Sequence, residues 1–211
     1  TENITFKNCT IWTNLAQSME IGYETIGKKL KNVRFENITV LHNFHKPLIS
    51  IHNANNADIE QILFKDITVE DARMGLGDSG PNSQLIEIAN VYSAIWSEVH
   101  KTTSLGSISD VKVENLLVKG GRRNIPISVK GCVDMRPAYA GNIHKISGVL
   151  LKNINIRGTP VTDEYKYLEI NDYVENVSVV YDGTVSGARF LFAKTEEELK
   201  GYGTKTEVEV I

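Results

Sequence analysis

A nine-residue phrase recurs along this 211-residue chain and limits its fold more than any other feature of the sequence. The clearest copies are residues 3–11 (NITFKNCTI), 32–40 (NVRFENITV) and 61–69 (QILFKDITV), whose equivalent positions are 29 residues apart. A unit of this size cannot bury a hydrophobic face alone, so neighbouring units must stack to form a continuous core. Weaker copies extend the pattern to residues 110–118, 148–156 and 176–181, and the equivalent core positions are Phe6, Phe35, Phe64, Val113 and Leu151.

A second short strand recurs between these phrases and completes the unit. Each of the five nine-residue phrases also carries Asn or Asp as its sixth residue, a type that tolerates left-handed backbone angles and forms local hydrogen bonds, which indicates a tight bend. The copies of the short strand are residues 19–21, 49–51, 86–88, 127–129 and 168–170, and the bend positions are Asn8, Asn37, Asp66, Asn115 and Asn153.

These elements predict an all-β fold, a right-handed parallel β-helix (solenoid) of about five to six coils. The composition agrees, because Ile and Val together number 41 against 25 for Leu and Ala, which excludes a helical bundle. A leucine-rich repeat is the alternative solenoid, but its Leu pattern is absent and Leu is scarce.

The repeat also predicts how the chain is organised. We expect a single domain over residues 1–211, with coils in 1–194 and a C-terminal cap in 195–211. The cap would combine the start of a helix at 195–199 with an alternating final strand at 205–211. Thr1 begins almost inside a strand, and solenoids need capped ends, so we expect further coils on the N-terminal side.

Charge and motif content narrow the classes of function. The net charge of −3 lacks the basic excess of nucleic-acid-binding proteins, and no run of 18 apolar residues predicts a membrane span. Cys9 and Cys132 are too few for a disulfide framework and are expected to be free thiols. His42 and His45 are close together but lack partners at metal-ligand spacing, so we predict no metal and no cofactor.

Stacking of the second strands would place alternate side chains in columns on the outer surface. Glu20 and Glu87 lie two coils apart, which corresponds to about 9–10 Å between their Cα atoms. Their carboxyl groups would then reach the roughly 6.5–9.5 Å separation of an inverting glycosidase, with His52 between them. We predict this pair as the catalytic candidates; the alternative is that both are merely solvated. The two columns hold Glu20, Ser50, Glu87, Ser128 and Glu169, and Gly22, His52, Ala89, Lys130 and Asn171.

The longest insertions lie beside these columns, at residues 71–84, 92–109 and 132–145. Long insertions on one side of a solenoid usually build a binding face. Their aromatic and basic residues suit a polysaccharide groove, and we predict that Trp96 contacts substrate there. The alternative is that these aromatic residues only anchor the loops.

Three segments resemble the polygalacturonase-like glycoside hydrolases of family 28, and more loosely the dextranase-like β-helix hydrolases. They are residues 9–12 (CTIW), 19–25 (MEIGYET) and 48–53 (LISIHN). The family's Gly-His-Gly and Arg-Ile-Lys strands correspond to residues 16–18 and 50–52, which here read AQS and SIH. The resemblance implies inverting hydrolysis of a polysaccharide, with the family's paired catalytic aspartates on a coil upstream of Thr1.

Together these expectations describe a secreted or periplasmic glycoside hydrolase acting on a plant or microbial polysaccharide or oligosaccharide. The alternative is a non-catalytic carbohydrate-binding or structural β-helix module. A pectate-type lyase ranks last, because it would need an arginine base and the outward columns contain no Arg. The predicted sugar contacts are Gln17, Glu20, Glu24, Ser50, His52, Lys130 and Trp96.

Overall fold

The computed structural model describes residues 1–76, 83–92 and 104–183, and within these ranges the chain is all-β, as predicted. No helix long and apolar enough to cross a membrane occurs in these ranges. The predicted cap at 195–211 and Trp96 lie outside them. The strands are β1 Glu2–Lys7, β2 Thr10–Thr13, β3 Met19–Ile21, β4 Lys29–Asn43, β5 Ile49–Asn53, β6 Asp58–Val69, β7 Ile86–Asn90, β8 Ile108–Val118, β9 Ile127–Lys130, β10 Cys132–Val133, β11 Ile143–His144, β12 Ile146–Ile156, β13 Thr159–Pro160, β14 Leu168–Ile170 and β15 Val174–Val180.

The recurring phrase forms a larger sheet in which β1, β4, β6, β8 and β12 are neighbours in that order. All these strands pair in parallel, and β15 continues the sheet beside β12. The register confirms the predicted core column, because the Cα partners run from Phe6 to Phe35, Phe64, Val113 and Leu151.

The second recurring strand forms a smaller sheet of five parallel strands in the order β14, β9, β7, β5 and β3. Its register confirms the predicted column of Glu20, Ser50, Glu87, Ser128 and Glu169. Successive strands from β3 to β9 alternate between the two sheets. Each repeat therefore contributes one strand to each sheet, and equivalent residues of consecutive repeats lie side by side.

The core is a single hydrophobic cluster that joins residues of both sheets. Phenylalanine rings stack along the larger sheet, with centroids 4.9 Å apart between Phe6 and Phe35 and again between Phe35 and Phe64. Phe64 is 0% exposed, whereas Phe6 on the first strand is 47% exposed. Burial in this stack therefore increases from the first repeat to the third.

Left-handed backbone angles confirm the predicted bends, with φ between 52° and 57° at Asn8, Asn37, Asp66, Asn115 and Asn153. The side chains of this ladder also bond from repeat to repeat: the Asn37 amide donates to Asn8 Oδ1 at 2.6 Å and the Asn115 amide to Asp66 Oδ1 at 2.7 Å. The first bend, at Asn8, separates β1 from β2, but the later bends do not interrupt their strands: the 15-residue strand β4, for example, runs through Asn37.

A second bend ladder lies five residues before the first and was not predicted. The Asn32 amide donates to Asn3 Oδ1 at 2.8 Å, as in the predicted ladder. Most members are Asn, Asp or Gly, which is a signal the sequence does carry, but Gln61 breaks it. The residues with positive φ in this ladder are Asn3, Asn32, Gln61, Asp110, Gly148 and Asn176.

Candidate functional site

An imidazole held between two carboxylates lies on the outer face of the smaller sheet. His52 on β5 is 2% exposed, and its Nδ1 lies 3.1 Å from Glu20 Oε1 on β3. Its Nε2 lies 3.0 Å from Glu87 Oε2 on β7. The register makes this contact possible, because Glu20 and Glu87 flank β5 in the same column two residues before His52.

Small residues beside His52 leave space for the two carboxylates. Ala89 lies opposite His52 on β7, and Gly22 follows β3 on the other side. A Cβ atom at Gly22 would lie 3.4 Å from Glu20 Cδ. The glutamate side chains extend along their strands to the ring past these two small residues.

Two further side chains complete the site. The ring of Tyr23 stacks on His52 with a centroid distance of 4.5 Å and an interplanar angle of 20°. Gln17 donates from Nε2 to Glu20 Oε1 at 3.0 Å. We call Gln17, Glu20, Tyr23, His52 and Glu87 the imidazole cluster. Tyr23 is not among the predicted site residues, although it lies in one of the segments that carry the family resemblance.

The electrostatics of the imidazole cluster favour a charged ring on His52. Burial lowers the pKa of His52, but the hydrogen bonds with Glu20 and Glu87 and their negative charges outweigh it, so the net shift is upward from 6.5. Burial, reinforced by Glu87 and then Glu20, raises the pKa of Tyr23 to about 12. The cluster therefore favours the imidazolium form of His52, in which the ring would donate to both carboxylates, beside a neutral Tyr23 phenol.

The spacing of the two carboxylates bears on the predicted catalytic pair. Two oxygens that bond the opposite nitrogens of one imidazole are about 8 Å apart, which falls within the range of inverting glycosidases. In such an enzyme the space between the carboxyl groups holds the sugar and the attacking water. Here the ring of His52 occupies that space. Catalysis by Glu20 and Glu87 would therefore require His52 to move.

Of the other predicted sugar contacts, Ser50, Lys130 and Glu24 make none of the hydrogen bonds that hold the imidazole cluster together. Ser50 lies in the column between Glu20 and Glu87 but is completely buried. Lys130 is exposed and pairs with Glu169 of the neighbouring strand. Glu24 is exposed in the turn after β3, and Trp96 lies outside the described residues. The structure thus brings together Gln17, Glu20, His52 and Glu87.

A second histidine also has an acidic partner that the sequence analysis did not find. His42 Nδ1 lies 2.9 Å from Asp71 Oδ2, and Arg73 Nε donates to Asp71 Oδ1 at 2.8 Å. The ring of Trp12 lies 4.9 Å from that of His42. Asp71 follows His42 by 29 residues, the period of the repeat, so the repeat itself was the signal. Across the described part of the chain, no group of three or more His, Cys, Asp or Glu is arranged to hold a metal ion.

The insertion at 132–145 is fastened by its own buried charges. Arg136 donates from Nη2 to Asp134 Oδ2 at 2.6 Å, and His144 Nε2 lies 3.3 Å from the same oxygen. The hydrogen bond from Arg136 holds the pKa of Asp134 below its usual range despite burial. Tyr139 packs its ring 4.9 Å from the Arg136 guanidinium carbon. We assign these residues to the shape of the loop.

A buried acid and a partly buried base face each other where β6 and β8 end. Glu70 is 2% exposed, and its Oε1 lies 3.8 Å from Lys119 Nζ. Burial raises the pKa of Glu70 to about 7, although Lys119 acts in the opposite direction. Burial likewise lowers the pKa of Lys119, against the attraction of Glu70. The folded protein therefore holds the Glu70 proton to a higher pH than the unfolded chain does.

This difference predicts that stability falls with pH because of Glu70. Between about pH 5 and 6.5 the unfolded chain has released the Glu70 proton while the folded protein keeps it. Over this range the free energy of unfolding of wild type should therefore fall by about 2 kcal/mol relative to that of Glu70→Gln. His52 does not interfere, since its raised pKa contributes stability that is lost only above 6.5. Urea unfolding at several pH values measures the slope, with Glu60→Gln on the surface of β6 as the control. Parallel curves for wild type and Glu70→Gln would contradict this assignment.

Comparisons of the chain with models of protein families, with curated proteins and with solved structures gave no match. The resemblance to polygalacturonase-like enzymes therefore stays a prediction.

Proposed function

We propose that the two sheets are faces of one right-handed parallel β-helix. Three observations support this: successive strands from β3 to β9 alternate between the sheets, the repeat strands pair in parallel in both sheets, and phenylalanines of consecutive repeats stack. The crossover connection between two parallel strands of one sheet is right-handed in about 98% of cases. The smaller sheet then presents its outer face along the side of the helix.

On this face, we propose, the chain binds a polysaccharide or oligosaccharide as part of a β-helical glycoside hydrolase. The observation that carries the proposal is the imidazole cluster. The side chains of Glu20 and Glu87 are fixed by His52, yet each keeps about a fifth to a quarter of its surface exposed. Fixed carboxylate oxygens beside an aromatic ring suit sugar hydroxyls, which donate hydrogen bonds, and sugar C–H faces, which pack on rings. Such a substrate implies a secreted or periplasmic protein.

Hydrolysis would follow the inverting route. One carboxyl group protonates the leaving glycosidic oxygen while a carboxylate on the opposite face of the sugar activates water. For Glu20 and Glu87 to take these roles, the sugar must displace the His52 ring from between them. In the other arrangement, this face only binds the polysaccharide, and the catalytic aspartates implied by the family resemblance act elsewhere in the enzyme.

The position of His52 also favours a second candidate function, a non-catalytic carbohydrate-binding module. A salt-bridged imidazolium between the carboxylates stabilises them as fixed acceptors and leaves neither as a proton donor. Binding and hydrolysis therefore need separate measurements.

The test is a panel of neutral and acidic polysaccharides, with affinity and release of reducing ends measured in parallel. Glu20→Gln and His52→Ala should each weaken binding about tenfold or more, since hydrogen bonds to charged groups contribute roughly 1.5–3 kcal/mol. Glu60→Gln, an equal change of charge on the larger sheet, should have no effect. Unchanged affinity in both cluster variants would overturn the proposal.

The same panel separates the two candidates. If the pair is catalytic, Glu20→Gln and Glu87→Gln should lose about 100-fold or more in reducing-end release, because removing a general acid or base has that scale of effect. If the chain only binds, wild type releases no reducing ends from any polysaccharide that it binds.

A further inference from the structure

A basic cleft lies away from the imidazole cluster, where two loops lead into β9 and β14. It has a volume of about 370 Å³. Its charged lining residues are Arg123, Arg157, Lys166 and Glu164, so cations outnumber the anion three to one in a chain whose net charge is −3. Thr159, Thr162, Tyr165 and Tyr167 also line it. Neither the repeat nor the proposed glycan surface accounts for this local reversal of charge.

The walls of the cleft are held in place by contacts of their own. Arg157 is the first residue of the two-residue hairpin turn between β12 and β13, where its φ is 51°, and it donates from Nη1 to Gly121 O at 2.6 Å. The Tyr165 hydroxyl donates to Ile125 O at 2.9 Å. Tyr167 packs against Tyr165 with a centroid distance of 5.7 Å and receives Lys166 Nζ over its ring, also at 5.7 Å.

We propose that this cleft binds a sugar-sized ring that carries a sulfate or phosphate ester. Guanidinium groups bind such oxyanions through paired hydrogen bonds, and ammonium groups bind them as point charges. Arginine, lysine and threonine side chains together line the cleft. Such a mixed set suits an ester, whose three terminal oxygens can each accept hydrogen bonds. The tyrosine rings provide a surface for the ring that carries the ester. The volume lies at the lower end of ordinary ligand pockets, which are about 300–1,000 Å³.

The test uses calorimetric titration of the whole chain with glucose 6-sulfate, glucose 6-phosphate, glucuronate, glucose, inorganic sulfate and inorganic phosphate. At least one ester should bind about tenfold or more tightly than glucose, glucuronate and the free anions, and its affinity should fall with added salt. Which ester binds more tightly identifies the source of the oxyanion. If glucose binds as tightly as the esters, the cleft does not select an anionic group. If glucuronate binds more tightly than the esters, the cleft prefers a carboxylate to a sulfate or phosphate ester. If the free anions bind as tightly as the esters, the sugar ring contributes nothing; each of these results would contradict the proposal.

Variants locate the site independently of the proposed glycan surface. Arg123→Gln and Lys166→Gln change exposed residues and should each weaken ester binding about fivefold or more, as loss of one charge-assisted contact does. Lys152→Gln, which removes an equal charge on β12, and His52→Ala should both retain it. Ester binding that survives both Arg123→Gln and Lys166→Gln would place the ligand elsewhere and contradict the proposal. A failure here leaves the imidazole cluster untouched, because the two tests share no affected residue.

Discussion

Phe64→Ala is expected to lower the free energy of unfolding by about 3–5 kcal/mol, the range for large cavities in a packed core. Phe64 is completely buried and stacks on Phe35, with Val113 in the next position of the same column. Because each repeat packs only on its neighbours, a cavity here weakens the packing between the repeats on either side of it. Urea unfolding followed by circular dichroism measures the loss.

Phe6→Ala is the matched control for this variant. Phe6 occupies the equivalent position one period before Phe35, but it is about half exposed and lies on the first strand. Its loss should cost about 1 kcal/mol, because roughly half of the side chain is already in water. Equal losses for Phe6→Ala and Phe64→Ala would show that burial does not increase along the stack.

Gly121→Ala is the second variant with a large expected effect, about 3 kcal/mol or more. A Cβ atom at Gly121 would lie 2.1 Å from Ala72 O and 2.5 Å from Ala72 N, both backbone atoms. The contact joins consecutive repeats through a parallel bridge, and Arg122 N also donates to Ala72 O. Since neither backbone can give way without breaking these bonds, the repeats must move apart.

Gly141→Ala separates this clash from backbone strain. Both glycines have left-handed backbone, with φ of 94° at Gly121 and 88° at Gly141, but a Cβ at Gly141 would meet nothing within 4 Å. Gly141→Ala should therefore cost only the strain of about 1–2 kcal/mol. Unfolding measurements that give the two variants the same loss would contradict the close approach at Gly121.

The 29-residue period of the sequence predicts the features of the fold that depend only on the stacking of repeats. Positions 29 residues apart identify the phenylalanine column, and an Asn or Asp at the sixth position of each phrase identifies one bend ladder. The second bend ladder is harder to predict from the sequence, because Gln61 interrupts a pattern in which the other members are Asn, Asp or Gly. The sequence also does not predict that strands continue through the bends. At Asn37, a left-handed residue turns β4 without breaking its pairing with β6.

The site depends on side-chain reach, which the period does not encode. The columns placed His52 between Glu20 and Glu87, and the structure joins them. That both glutamates bond the same ring depends on the small neighbours Gly22 and Ala89. The stacking of Tyr23 on His52 depends on the path of the turn after β3, for which the sequence has no repeat to compare.

The measurement that tests the proposed function most directly is an NMR titration of the His52 imidazole with whichever polysaccharide fragment binds the chain. The charged ring should show a pKa above 6.5 in the free protein, and its resonances should shift on binding in proportion to the occupied fraction of sites. Glu20→Gln should lower that pKa, because it removes one of the two charges that hold the proton. A glycan that binds and shifts other residues while the His52 ring keeps its resonances and its pKa would contradict the account.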